Sequence, residues 1–115
     1  MISDEIYEKL VYDGAEFVSI ASLGPEIFER TITVNGLSKS HAMTGWRIGY
    51  AGGPKVLISA INTLQSHSTS NAVTFCQDAS VAALNDTSDF VERCRSTFEK
   101  RRDLIHSLIT AIPGI

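Results

Sequence analysis

A lysine amine can condense with an aldehyde and later be displaced by a substrate amine, which suits it to covalent catalysis. The segment Asn35-Gly36-Leu37-Ser38-Lys39-Ser40 holds such an amine in a small, polar stretch, with Arg47 eight residues beyond Lys39. Standing alone, Lys39 would be a solvated turn residue. Spacing removes two competing chemistries. A phosphate loop needs Gly-x-x-x-x-Gly-Lys-Ser/Thr ahead of a helix, but Ser38 stands where the second Gly belongs and Thr33 where the first does. A Ser/His/Asp hydrolase needs a nucleophile on a strained elbow such as Gly-x-Ser-x-Gly, which is absent. His41, His67 and His106 sit among polar residues with no partner fixed by spacing, and read as surface or loop histidines. The chemistry left to the loop is that of a lysine used as a covalent amine.

The elements around it are uneven. Met1-Ile2 running into Ser3-Asp4-Glu5 reads as the end of a strand, and residues 6–12 as a loop or ragged hairpin before the turn pair Asp13-Gly14. Ser19-Ile20-Ala21-Ser22-Leu23 predicts a helical turn, and Pro25 opens another short helix reaching Glu29. Thr31-Ile32-Thr33-Val34 predicts a buried strand, with Asn35-Gly36 as the turn after it. Trp46-Arg47-Ile48-Gly49-Tyr50-Ala51 predicts a second strand closed by Gly52-Gly53-Pro54. Beyond Pro54, apolar residues at three- and four-residue spacing predict a helix from Pro54 to about Gln65. Residues 66–71 read as a polar loop, residues 72–84 as a small-residue helix and residues 89–112 as a third helix, with candidate caps in Asn85-Asp86-Thr87-Ser88-Asp89. The cluster Lys100-Arg101-Arg102 reads as a solvated face and Pro113-Gly114 as a stop. The expected class is α/β: one segment over 1–115, strands and loops in 1–53, helices in 54–112. Three short strands cannot cover three helices, so the sheet is expected to be incomplete, with further strands on residues outside this chain.

Composition narrows the partners. Ten Lys and Arg against thirteen Asp and Glu leave a net charge of −3, which offers no long-range attraction for nucleic acid or anionic lipid. At 43% apolar the 115 residues have the content of an ordinary globular domain. No apolar run approaches the roughly 18 residues of a membrane span, and the start lacks the pattern of a signal peptide, so a soluble, cytoplasmic protein is expected. Cys76 and Cys94 have neither disulfide-framework nor zinc spacing and read as free thiols.

The fourteen residues Gly36-Leu37-Ser38-Lys39-Ser40-His41-Ala42-Met43-Thr44-Gly45-Trp46-Arg47-Ile48-Gly49 resemble the pyridoxal-phosphate attachment site of class I aminotransferases, the aspartate aminotransferase type of fold type I. Ser3-Asp4-Glu5-Ile6-Tyr7 resembles the family's Asp-x-x-Tyr segment, and Gly52-Gly53-Pro54-Lys55 the turn after its second strand. The resemblance covers nearly the whole chain, most specifically residues 3–71. It implies a partial large domain and a reaction that passes an amino group from an amino acid to a 2-oxo acid through a lysine Schiff base with pyridoxal 5′-phosphate.

The same resemblance implies roles. Lys39 would hold the cofactor aldehyde and, once released, serve as general base at the substrate Cα. Asp4 would face the pyridine nitrogen and keep it protonated, and Tyr7 would donate to the 3′ oxygen. Arg47 would clamp the phosphate through parallel charge-assisted bonds, with Ser38 as a further phosphate ligand. Gly36 stands where some members carry a phosphate-binding serine. Residues 66–71 resemble a segment reaching the neighbouring subunit's site, which implies a homodimer. The family's upstream glycine loop, ring-stacking aromatic residue and asparagine, and its later carboxylate-binding arginine, have no counterpart here. The chain is therefore expected to be the middle of a longer enzyme, inactive alone. The alternative is a noncatalytic remnant or interaction module pairing with a full-length relative.

Overall fold

The computed structural model describes residues 1–86 and 88–115. Its elements are β1 (Ile2–Asp4), a 3-10 turn (Ile20–Leu23), α1 (Pro25–Phe28), β2 (Ile32–Gly36), a second 3-10 turn (Thr44–Trp46), β3 (Gly49–Gly52), α2 (Lys55–Ser68), α3 (Thr74–Asn85) and α4 (Phe90–Thr110). The strands form one sheet in the order β1-β2-β3, with β1 and β2 parallel and β2 and β3 antiparallel. Asp4 stands level with Val34, and Asn35 and Gly36 are level with Tyr50 and Gly49.

The β-branched run forms its strand, but two expected boundaries move. Asn35-Gly36 is not a turn: β3 pairs with both residues and carries β2 through them. Nor is β2 deeply buried, since positions 32–35 are half-buried and only Gly36 is fully enclosed. The strand expected from Trp46 begins at Gly49 instead. Trp46 belongs to the second 3-10 turn, and Arg47 takes a left-handed backbone, φ 54°, that breaks the extended run.

The helices follow their periodicity, with shifted ends. Pro54 caps α2 from outside, its carbonyl accepting the Leu57 and Ile58 amides at 2.9 and 3.0 Å. Ser66, His67 and Ser68, read as loop, are the last turn of α2. The Ser66 hydroxyl donates to Thr63 O at 2.7 Å, and Ser70, with φ 65°, closes the end by donating its amide to Gln65 O at 2.9 Å. Of the expected break before α4, Thr87 lies outside the described residues, while Asp86 accepts from the Ser88 amide at 2.9 Å. Cys76 is buried and Cys94 half-buried, both free.

Among the described residues, Leu37, Met43 and Cys76 are the buried apolar side chains, whereas Val56, Leu64 and Phe75 on α2 and α3 are exposed. Polar contacts therefore hold α4 to the loop after β1. Arg102 grips Asp13 in a fork, Nη1 to Oδ2 at 2.5 Å and Nη2 to Oδ1 at 2.9 Å, and lies 5.0 Å from the centre of the Tyr12 ring. The Asp13 amide donates to Glu99 at 3.0 Å, and Glu99 in turn pairs with Arg95 at 3.0 Å. Arg102 is thus an anchor, contrary to the solvated face expected of the basic cluster.

The Arg102 hydrogen bonds hold the Asp13 carboxyl below its ordinary 3.8. The Asp13 amide, then Arg95, hold Glu99 below 4.5. Because both folded values are lowered, the contact stabilises the fold above those ordinary values and is lost as pH falls through the folded ones. Carboxyl-carbon NMR titration is expected to place both midpoints below 3.8 and 4.5, and Arg102→Ala to return Asp13 toward 3.8; an Asp13 midpoint unmoved by that substitution would disprove the assignment.

Candidate functional site

The parallel pair β1 and β2 delivers its following loops to the same end of the sheet, where ligand sites of parallel sheets gather. Beyond Asp4 the ladder continues for one more bond, the Glu5 amide donating to Val34 O at 2.8 Å. The Asp4 Oδ1 accepts the Ile6 amide at 3.2 Å, and the Glu8 amide then bonds Glu5 O at 2.9 Å, so Tyr7 leaves the strand on a tight turn.

On the neighbouring strand, Lys39 lies three residues after Gly36 in a loop pinned on both sides. Leu37 is 1% exposed, and Ser40 and Met43 are buried. Leu37 O accepts the His41 amide at 3.1 Å, and the Ser40 hydroxyl lies 2.8 Å from His41 Nδ1. Of the histidines read as surface or loop residues, His41 is half-buried by this contact, and His67 and His106 are exposed. The Lys39 Nζ sits 5.7 Å from the centre of the Tyr7 ring. Tyr7, Ser38, Lys39, Ala42, Thr44 and Phe98 share a cavity of about 600 Å³.

Arg47 lies elsewhere. Its Nη1 donates to Thr44 O at 2.9 Å, and it lines a separate cavity of about 760 Å³ with Val34, Trp46, Tyr50, Ser70 and Asn71. Burial, then the charge of Glu8, pushes the Tyr50 phenol up in that cavity. The structure thus brings Tyr7, Ser38 and Lys39 into one pocket and sets Asp4 at the adjacent strand end. Arg47 shares its cavity with the end of the polar run. Among the described residues, no three His, Cys, Asp or Glu side chains cluster to hold a metal, and no helix is long and apolar enough to cross a membrane.

One residue at the site was not singled out from the sequence. Glu5 is 6% exposed, and its Oε1 accepts from Ser3 Oγ at 3.0 Å, Ser19 Oγ at 2.8 Å and the Ile20 amide at 3.3 Å. Polarity hides it. On β1 the alternation runs backwards, with Ser3 and Glu5 inside and Ile2 and Asp4 outside, so a hydrophobic pattern points to the wrong face.

The mixed three-stranded sheet followed by helices is a partial α/β domain. The profile for aminotransferase class I and II matches residues 1–115, and the chain belongs to that family. It is 53% identical over 114 residues to an aspartate aminotransferase of Geobacillus stearothermophilus, covering 99% of this chain and 29% of that protein. A crystal structure of the Rhizobium meliloti aspartate aminotransferase superposes with a TM-score of 0.94 at 50% identity, covering 98% of this chain and 28% of that one. An aromatic aminotransferase from Pyrococcus horikoshii superposes at 0.85 with 46% identity, covering 90% and 28%. The chain therefore spans under a third of the length of the relatives it matches.

Gly36 joins the two halves of the site. A Cβ there would lie 3.0 Å from Ile48 O, 3.1 Å from Ile6 Cδ1 and 3.3 Å from Gly49 Cα, so a side chain would have to push its neighbours aside. Gly36→Ala is expected to cost about 1–3 kcal/mol by overpacking. Gly45→Ala, whose added Cβ meets nothing within 4 Å, is the control. Equal denaturation midpoints for the two variants would show that the contact is not tight.

Proposed function

We propose that the chain is part of the cofactor-binding large domain of a pyridoxal 5′-phosphate-dependent aminotransferase, one that moves an amino group from an amino acid to a 2-oxo acid. The observation that carries this is the pinned loop that holds Lys39 beside Tyr7 at the strand end next to Asp4. The amine, the phenol and the adjacent carboxylate fit a cationic aromatic aldehyde, and the Arg47 guanidinium, in the neighbouring cavity but bonded to Thr44 of the Lys39 cavity, is matched to a phosphate at its edge. The bound cofactor supplies an electron-withdrawing ring that eases loss of the substrate Cα proton.

Lys39 would hold the cofactor aldehyde through Nζ, and as a free amine its role would be to take the substrate Cα proton. None of the ion pairs among the described residues engages it, so no carboxylate competes for the amine. Asp4 has one oxygen bonded to the Ile6 amide, and its other oxygen would hold the ring nitrogen. Tyr7 would donate its hydroxyl to the 3′ oxygen. Arg47 would hold the phosphate with the N–H groups that Thr44 does not use, and Ser38 would add a hydroxyl.

We place the complete enzyme in the cytoplasm as a homodimer, with the exposed α2 and residues 66–71 at the subunit contact. Aspartate is the first donor to test, because relatives are aspartate aminotransferases. The 115 residues alone keep few of the contacts such a site needs, and their exposed apolar faces favour self-association over catalysis.

Incubation with pyridoxal phosphate followed by borohydride reduction is expected to modify Lys39 in the complete enzyme; modification of Lys9 or Lys55 in its place would overturn the proposal. The isolated chain, given aspartate and 2-oxoglutarate, is expected to form no glutamate above background. Steady turnover by a monodisperse preparation would show that these residues contain more of the site than is argued here.

A further inference from the structure

Glu5 is the one acidic or basic side chain that is buried among the described residues. Burying a carboxylate is costly unless donors surround it, and here three donors converge on one oxygen. All three come from outside the turn that follows: Ser3 from β1, Ser19 and Ile20 from the start of the first 3-10 turn. The main chain of the same residue faces the other way. Its amide extends the ladder to Val34, and its carbonyl begins the turn that carries Tyr7. Ile6, between Glu5 and Tyr7, lies against Gly36 at the base of the Lys39 loop. Glu5 lines neither cavity at the site.

We infer that Glu5 is a positioning residue for cofactor binding: the three-donor clamp on its Oε1 sets the angle at which Asp4 and Tyr7 leave the sheet. This rests on the reading of Asp4 and Tyr7 as partners of the cofactor ring. A clamp that served folding alone would change stability and nothing at the ring. A positioning clamp also changes the charge balance there, because withdrawing the Tyr7 donor disfavours the deprotonated state of the group it bonds.

The test is a pH titration of the bound cofactor's visible absorbance, with its dissociation constant, in the complete enzyme and three variants. Glu5→Ala is expected to raise the titration midpoint by roughly one unit and weaken cofactor binding roughly tenfold, as expected for one lost charge-assisted hydrogen bond. Glu5→Gln keeps an oxygen for the same donors and should recover at least half of both changes. Ser19→Ala removes one donor without altering Glu5 and should shift the midpoint in the same direction by less. It also decides the matter if Glu5→Ala does not fold. A wild-type midpoint and affinity in Glu5→Ala, or in Ser19→Ala where only that variant folds, would overturn the inference. Borohydride labelling of the wild type separates the two failures: no label at Lys39 sinks the reading of the site and this inference with it, whereas a label at Lys39 with unmoved variants sinks this inference alone.

Discussion

The register of β1 against β2 is the constraint on which the site depends. The two strands are joined by a long irregular crossover through residues 5–31, so no tight turn sets their pairing. Only the ladder that matches Ile2, Ser3 and Asp4 to Ile32, Thr33 and Val34 does so. A slip of one residue would turn every β1 side chain to the opposite face. Asp4 would then point into the interior, and the buried Ser3 and Glu5 would be carried into water. Met1 adds a tie at the other end, its carbonyl accepting the Ile32 amide at 2.9 Å.

From that register the loop geometry follows. Gly36 ends β2 where neighbouring backbone leaves no space for a side chain, and the chain then buries Leu37, Ser40 and Met43 around Lys39. A loop held by its flanks lets the amine project without being consumed in an ion pair. Its described cation–π partner is the Tyr7 ring, whose centre lies 5.7 Å from Nζ, a contact of about 1 kcal/mol. Ala42 at φ 55° and Arg47 at φ 54° sit on either side of the second 3-10 turn. A left-handed backbone is costly for a non-glycine residue; Ala42 lines the Lys39 cavity and Arg47 the other.

Much of this was legible from residue types. Pro25, the β-branched run before Asn35, and the three- and four-residue spacing after Pro54 all form the elements they predict. What failed did so where pairing or side-chain contacts overrode local preference. Asn35-Gly36 is a turn signal only in isolation, and β3 recruits both residues into the sheet. Ser66 and Ser68 disfavour helix on their own, but an established α2 carries through them. Lys39, Tyr7 and Ser38 meet in one pocket, yet no spacing rule shows that Arg47 lines a different one, because its left-handed backbone turns the chain just there. Glu5 was invisible because a buried carboxylate looks in sequence like any exposed one.

The pocket around Lys39 is built from two materials of unequal strength. Its sheet side is defined by ladder hydrogen bonds and buried Leu37. Its far side includes Tyr12 and Phe98, and Phe98 belongs to α4. Among the described residues, α4 is tied to the loop after β1 by Arg95, Glu99, Asp13 and Arg102, with Arg95 also donating to Val11 O at 3.3 Å. Exposed ion pairs of this kind contribute little individually and are weakened by salt and acid, while a fork stacked on an aromatic ring restrains direction better than a lone pair. Among the described residues the far half of α4 has no such strap, and Leu104, Ile105 and Leu108 remain exposed there. Within these residues Lys39 therefore has one wall set by ladder hydrogen bonds and one held mainly by charge-assisted contacts.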